Sequence, residues 1–199
     1  MDGPGGGADG RELSFAHPIP RRFYARSAEI VARELLGARL VRRSPGGFRA
    51  VTIVETEAYL ADDPASHAFR GPTARNRTMF GRPGSLYVFS IHRVHCANAV
   101  ARRGEAALLR GGEPVLGVPA PVPGPGRLAQ AMGLTRLDDG LDLIRSDVRI
   151  VPGPPRTVEI GCGPRIGISR ARERPLRFWV VGSPGVSRPR AAYLSLAHS

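Results

Sequence analysis

Two carboxylates and a phenol fall within five residues, Glu55-Thr56-Glu57-Ala58-Tyr59. On an extended strand alternate side chains share a face, so Glu55, Glu57 and Tyr59 point the same way, with the carboxylate backbones about 6.6 Å apart. That spacing suits paired carboxylates around a metal, with Asp62 and Asp63 as further ligands, or a general base beside a supporting acid. Against the metal, no His or Cys follows at ligand spacing. A salt-bridged structural glutamate is the plain alternative. His67, His92 and His95 are the remaining candidates for proton chemistry, although a lone histidine is more often a hydrogen-bonding structural group. His92 and His95 at a turn supply only two of the ligands that zinc needs.

The rest of the composition narrows the chemistry. Every one of the 29 Lys+Arg positions is arginine. The chain therefore has no lysine amine for a Schiff base and no lysine point charge for a phosphate, which leaves carboxylate, His, Tyr, Arg and hydroxyl groups. A net charge of +12 and a pI near 11.3 point toward a polyanion. Cys96 and Cys162 are the only cysteines and show no CxxC spacing. They exclude a dense disulfide framework and a cysteine zinc site, and fit a reducing compartment. The start Met-Asp-Gly-Pro-Gly-Gly-Gly lacks the regions of a signal peptide, and no apolar run reaches membrane-spanning length. A cytoplasmic protein with no membrane association is expected.

The 199 residues suit one domain. Residues 1–17 read as a disordered Gly-rich tail, 18–190 as the domain, and 191–199 as a C-terminal tail. Ser27 can cap a helix whose apolar stripe is Ala28, Val31, Ala32, Leu35 and Leu36, stopped at Gly37. Residues 39–43 read as a strand, 44–47 as a turn, and 48–59 as the return strand. That return strand puts Val51 and Ile53 on the face of Glu55, Glu57 and Tyr59, with Thr52, Val54, Thr56 and Ala58 opposite. From Ala65 to Pro83 the chain is polar and rich in Arg, Gly and Asn, as a functional loop with a short helix near residues 74–77 would be. Strands follow at 86–91, 96–100 and 106–110. The Pro-rich stretch 114–125 reads as a loop, 127–132 as a short helix, and 143–144, 148–151, 157–161 and 176–181 as further strands. Strands and helices mixed without βαβ regularity imply an α+β fold with a curved, mostly antiparallel sheet.

The motifs, taken in order, resemble one family. They are Val54-Glu55-Thr56-Glu57-Ala58-Tyr59-Leu60, then His67, Thr73-Ala74-Arg75-Asn76-Arg77-Thr78-Met79-Phe80, Pro83-Gly84-Ser85-Leu86-Tyr87-Val88, Cys96-Ala97-Asn98, Leu108-Leu109-Arg110, Gly124-Pro125-Gly126-Arg127-Leu128 and Pro175-Leu176-Arg177-Phe178. From about Pro20 to Ser187 the chain is similar to the 3-methyladenine (alkyladenine) DNA glycosylases. The resemblance implies a monofunctional, cofactor-free enzyme of base excision repair. It would act as a monomer on double-stranded DNA containing damaged purines, associated with the nucleoid through that DNA. It would flip out an alkylated or deaminated purine and hydrolyse the N-glycosidic bond. Glu57 matches the general base and Arg110 the residue that positions the water. Tyr59, His67 and Phe89 match the rings around the flipped base, with Phe89 where the family usually has Tyr, and Asn98 matches the residue that rejects guanine. A protruding hairpin would insert into DNA at His92 and Arg93, where the family usually carries Tyr-Gly, and Arg75 and Arg77 would meet the backbone.

The chemistry of the residues agrees. An oxocarbenium-like transition state needs a nearby anion and an activated water, and one carboxylate supplies both without a metal. An alkylated purine that already carries positive charge leaves easily and stacks well on electron-rich rings. A non-catalytic nucleic-acid-binding paralogue and a metal-dependent nuclease using Glu55, Glu57 and Asp62 are the competing readings.

Overall fold

The computed structural model describes residues 17–91, 94–155 and 157–188. Its centre is a 13-residue strand, β2 (Gly47–Tyr59). Ser44 and Gly47 close a tight turn that pairs β2 with β1 (Arg39–Ser44), as the turn chemistry of Pro45-Gly46 predicts. Along its other edge β2 pairs with β5 (Ala106–Leu116). Outward from β5 lie β4 (Val94–Val100) and β3 (Leu86–Ile91), while β7 (Val148–Val151) adds beyond β1. The second half of β2 also pairs with β9 (Arg177–Val180), which carries β8 (Ile160–Gly163). A two-residue strand, β6 (Val122–Pro123), pairs with β5. Every ladder among the described residues is antiparallel, and the sheet curls into a half-barrel.

Helices are few and short. α1 (Arg21–Tyr24) leads into α2 (Ala28–Glu34), whose first turn is capped by the Ser27 side chain accepting from Ile30 N. Val31, Ala32 and Leu35 bury the stripe of α2 against β2 and β5, and Thr56 Oγ1 donates to Ala32 O at 2.7 Å. α3 (Pro125–Ala131) starts with proline at its first position and buries Leu128 and Ala129 in the same core. Leu40, Ile53, Leu86, Val88, Leu109 and Phe178 complete it.

The face of the sheet opposite this core carries the chemistry, and two bulges determine which residues reach it. The ladder runs Ile53↔Gly112, Glu55↔Gly111, Thr56↔Leu109, so Val54 is extra on β2 and Arg110 is extra on β5. Each bulge turns two consecutive residues toward one side. The expected alternation is therefore corrected: Val51 and Ile53 share the core face with Ala58 and the helix-bonded Thr56, not with the carboxylates. Glu55, Glu57 and Tyr59 point the other way, which spares the apolar core two charges. At the same place β2 exchanges its neighbour, pairing with β1 up to Thr52 and with β9 from Glu55.

Three further expectations needed correction. β5 continues through Pro114 to Leu116, although the Pro-rich stretch reads as a loop. Pro114 lies beside another register shift, and Pro123 lies in the two-residue β6, the positions where a sheet tolerates a residue without N–H. Residues 143–144 form no strand, because Asp142 holds them in a turn through its Oδ1 and the Ile144 N–H. The short helix expected near residues 74–77 is a 3₁₀ turn over Arg77–Phe80.

The segment 183–187 packs directly on this bulged region. A Cβ at Gly111 would collide with the Gly185 carbonyl oxygen and crowd Glu55. Gly111→Ala is therefore expected to lower unfolding stability by about 1–3 kcal/mol, the usual range for overpacking, as read from urea denaturation midpoints.

Candidate active site

Four strands contribute alternate residues to one cavity. Tyr87 and Phe89 come from β3, Cys96 and Asn98 from β4, Leu108 and Arg110 from β5, and Tyr59 from the end of β2. Pro64, Ala65, His67 and residues 166–170 close it from the loops, and its volume is about 470 Å³. Cavities of this size are ordinary for small ligands.

Aromatic rings form much of the wall. His67 and Phe89 meet edge to face, with centroids 4.5 Å apart and planes at 76°. His67 Nδ1 is 3.0 Å from the Tyr87 hydroxyl, and Asn98 Nδ2 donates to Tyr87 O at 3.0 Å. Burial lowers the pKa of His67, which favours the neutral imidazole, and pushes the Tyr87 phenol up to about 12 and the Cys96 thiol up to about 11. At neutral pH these three groups are uncharged.

Glu57 lies beneath this wall with no solvent exposure. Its Oε2 accepts from the Tyr59 hydroxyl at 2.9 Å, and its Oε1 accepts from Ile166 N at 2.8 Å and faces Arg110 Nη1 at 3.3 Å. Burial raises its pKa above the ordinary carboxylate value, while Arg110, the Ile166 amide and Tyr59 pull it back. A carboxylate whose pKa is raised in this way is a stronger base than an exposed one and is suited to take a proton from water.

Glu55 faces a different set of partners. Its Oε1 accepts from Arg177 Nε at 2.6 Å, Ser187 Oγ at 2.7 Å and Arg110 Nε at 3.3 Å, and its Oε2 from Ser187 N at 2.8 Å. The carboxylate thereby orients Arg110, whose Nε faces Glu55 and whose Nη1 faces Glu57. Asp63 is paired with Arg165, and Asp62 lies 3.6 Å from Arg174. Among the described residues no three His, Cys, Asp or Glu side chains gather as a metal site.

The sequence-derived candidates Glu57, Arg110, Tyr59, His67, Phe89 and Asn98 thus meet at one place. Arg75 and Arg77 do not join them. Both are exposed, Arg75 beside an adjoining hollow of about 650 Å³ that shares His67, Tyr87 and Phe89 with the cavity. His92 and Arg93 lie outside the described residues; the last pair of the β3–β4 ladder, Ile91↔Val94, is half-exposed at 52% and 48%. Sequence reasoning missed Asp63 as a partner of Arg165, along with Ile166, Arg177 and Ser187. Only the turn signal Gly163-Pro164 marks the loop that carries Arg165 and Ile166.

Comparisons with known proteins place the chain among relatives of one description. Residues 22–184 match the model of the family described as Methylpurine-DNA glycosylase (MPG). Curated relatives named "Putative 3-methyladenine DNA glycosylase" include one from Agrobacterium fabrum, 44% identical over 188 residues, covering 88% of this chain and 95% of the relative. One from Koribacter versatilis is 44% identical over 195 residues (87% and 94%), and one from Methanocella arvoryzae 42% over 191 residues (85% and 96%).

Proposed function

The chain belongs to the methylpurine-DNA glycosylase family, and on that premise we propose that it flips a damaged purine into the cavity and hydrolyses its bond to deoxyribose with a water activated by Glu57. The family assigns the broader activity, a DNA repair hydrolase acting on N-glycosidic bonds. The observation that supports the finer reading is one buried carboxylate, gripped by Arg110, Tyr59 and Ile166, at the base of an aromatic-walled cavity.

Each part has a physical task. Tyr59, His67 and Phe89 offer π faces and edges to an extruded purine, and a cationic alkylated base gains most from them. Asn98 stands on the wall where an exocyclic amine would be read. As the bond to C1′ stretches, positive charge develops on the sugar, and the Glu57 carboxylate both stabilises it and accepts the water proton. Glu57 Oε2 has one donor where Oε1 has two groups, so a water exchanges for the Tyr59 hydroxyl at Oε2 with the smaller loss. Arg110 keeps the carboxylate ionised and directed. With no lysine in the chain, no lysine amine captures the sugar, and the product is an intact abasic site.

The exposed arginines supply the remaining affinity. Arg70, Arg75 and Arg170 border one hollow beside the cavity, and Arg127 and Arg188 border another. DNA affinity is expected to fall with salt as their phosphate contacts release counterions, measured as the slope of log K against log salt.

Single-turnover assays on duplexes carrying hypoxanthine, 1,N6-ethenoadenine or alkylated purines test the proposal, with abasic sites revealed by alkali. Free base released before any strand break, and in the presence of a chelator, is the expected result. Binding to these duplexes without any alkali-sensitive product would instead identify a non-catalytic paralogue.

A further inference from the structure

Arg165 is buried beside the cavity without lining it. Its side chain and that of Asp63 have no solvent exposure, and the two form an ion pair through Arg165 Nη1. The same Nη1 donates to Ala58 O at 3.0 Å, and the guanidinium carbon lies 4.7 Å from the Tyr59 ring centroid. Tyr59 itself lines the cavity. One guanidinium therefore touches the end of β2, the turn that leads from Asp63 to His67, and the loop that begins at Arg165 itself. That loop delivers the Ile166 N–H to Glu57 at 2.8 Å and supplies residues 166–170 of the cavity wall. Farther along it, Ala171 adopts φ 47°, the one left-handed non-glycine conformation among the described residues.

A fully buried ion pair is an inefficient way to stabilise a fold, because an apolar pair of similar volume often does as well or better. Its advantage is directional. A planar guanidinium can lie on a ring and donate along its edges at the same time, which an ammonium cannot.

We infer that Arg165, held by Asp63, is a positioning residue for base excision, fixing the Tyr59 ring it lies over and the Ile166 amide on Glu57. Arg165 touches neither the base nor the water and acts through those two groups. The inference rests on the glycosylase reading.

Removing one member of the pair would strand a buried charge and can prevent folding, so the primary variant is the neutral double replacement Asp63→Asn/Arg165→Gln, with Arg165→Lys beside it. Excision of hypoxanthine is followed under single turnover over a range of enzyme concentrations, separating the maximal rate from the half-saturating concentration, and thermal midpoints are recorded for each protein. The double variant should keep a half-saturating concentration within about threefold of the parent while its maximal rate falls roughly 10²-fold, as for a misplaced reacting group. Arg165→Lys, which keeps the charge and loses the planar stack, should lose at least about tenfold in maximal rate.

A merely structural pair would move the thermal midpoint and leave the maximal rate unchanged well below it. A folded double variant with a maximal rate within about twofold of the parent overturns the inference. If the double variant does not fold, Arg165→Lys decides: a parental maximal rate overturns the inference and the tenfold loss supports it. A parent protein inert on every lesion removes the glycosylase reading and this inference together, whereas an active parent beside equally fast variants removes the inference alone.

Discussion

Glu57→Gln is expected to reduce base release by roughly 10²–10⁴-fold, the contribution of a positioned general base, while lesion DNA remains bound. Glutamine has the shape of glutamate, its one carbonyl oxygen can still accept from the Ile166 amide, and its amide nitrogen can donate to the Tyr59 oxygen, so the cavity should keep its form. What it loses is the negative charge that faces the sugar and the basicity that takes the water proton. Single-turnover release and gel-shift affinity on the same hypoxanthine duplex separate the two effects. Release at the parental rate would exclude Glu57 as the base.

Glu57 also gives this prediction a pH signature. Burial raises its folded-state pKa above the unfolded value, so its contribution to stability is fully present below the unfolded carboxylate pKa. That contribution is lost as pH rises through the raised folded value. Once ionised, the buried anion therefore lowers stability, and above that folded-state pKa Glu57→Gln should melt no lower than the parent. Activity has the opposite dependence, because the base must be ionised. On an already cationic alkylated purine, where release needs no protonation of the leaving group, excision should rise with pH along a limb above the ordinary carboxylate range. That limb should be absent from the residual activity of Glu57→Gln.

Glu55→Ala should show the reverse pattern, losing stability first. It removes the common acceptor of Arg110, Arg177 and Ser187, leaving the nearly buried Arg177 guanidinium without a carboxylate and the equally buried Arg110 with Glu57 alone. Breaking a buried pair in this way costs about 3–5 kcal/mol. At roughly 2–4 °C per kcal/mol for a chain of this length, the thermal midpoint should fall by about 6–20 °C. Excision measured well below the midpoint should also slow, since Arg110 loses the group that aligns it on Glu57. Glu55→Gln, which keeps acceptor oxygen in place, should lose less. A midpoint unchanged in Glu55→Ala would show that Arg110 and Arg177 do not depend on this carboxylate. The two expected results tell apart glutamates separated by one threonine: one needed for turnover, the other for the framework that aims it.

The local structure was largely readable because it is written in local terms. Ser27 before an apolar stripe and Gly37 after it specify α2, and the Ser44–Gly47 turn between two β-rich runs specifies the β1–β2 hairpin. The alternating rings of Tyr87 and Phe89 mark β3. The misread parts depend on neighbours. Pro114 is strand because a register shift accommodates it, and residues 143–144 are turn because Asp142 captures a backbone amide.

The sequence by itself determined the periodicities, the caps and the set of reactive groups, including the absence of lysine and the pairing of Glu57 with Tyr59 two residues on. It also carried the motif order that points to the family. The motif resemblance pointed to Glu57 as the base, but how Glu55 holds the scaffold around it was decided only in three dimensions. Periodicity assigns a residue to a face only while the ladder is regular, and the two bulges at Val54 and Arg110 are consequences of how β2 meets β5 and β9. The partners that tune the site are likewise remote along the chain. Asp63 meets Arg165 across 102 positions and Glu55 meets Ser187 across 132. Charges so far apart in sequence leave no local pattern; they become partners when closure of the half-barrel removes them from water together and each requires the other.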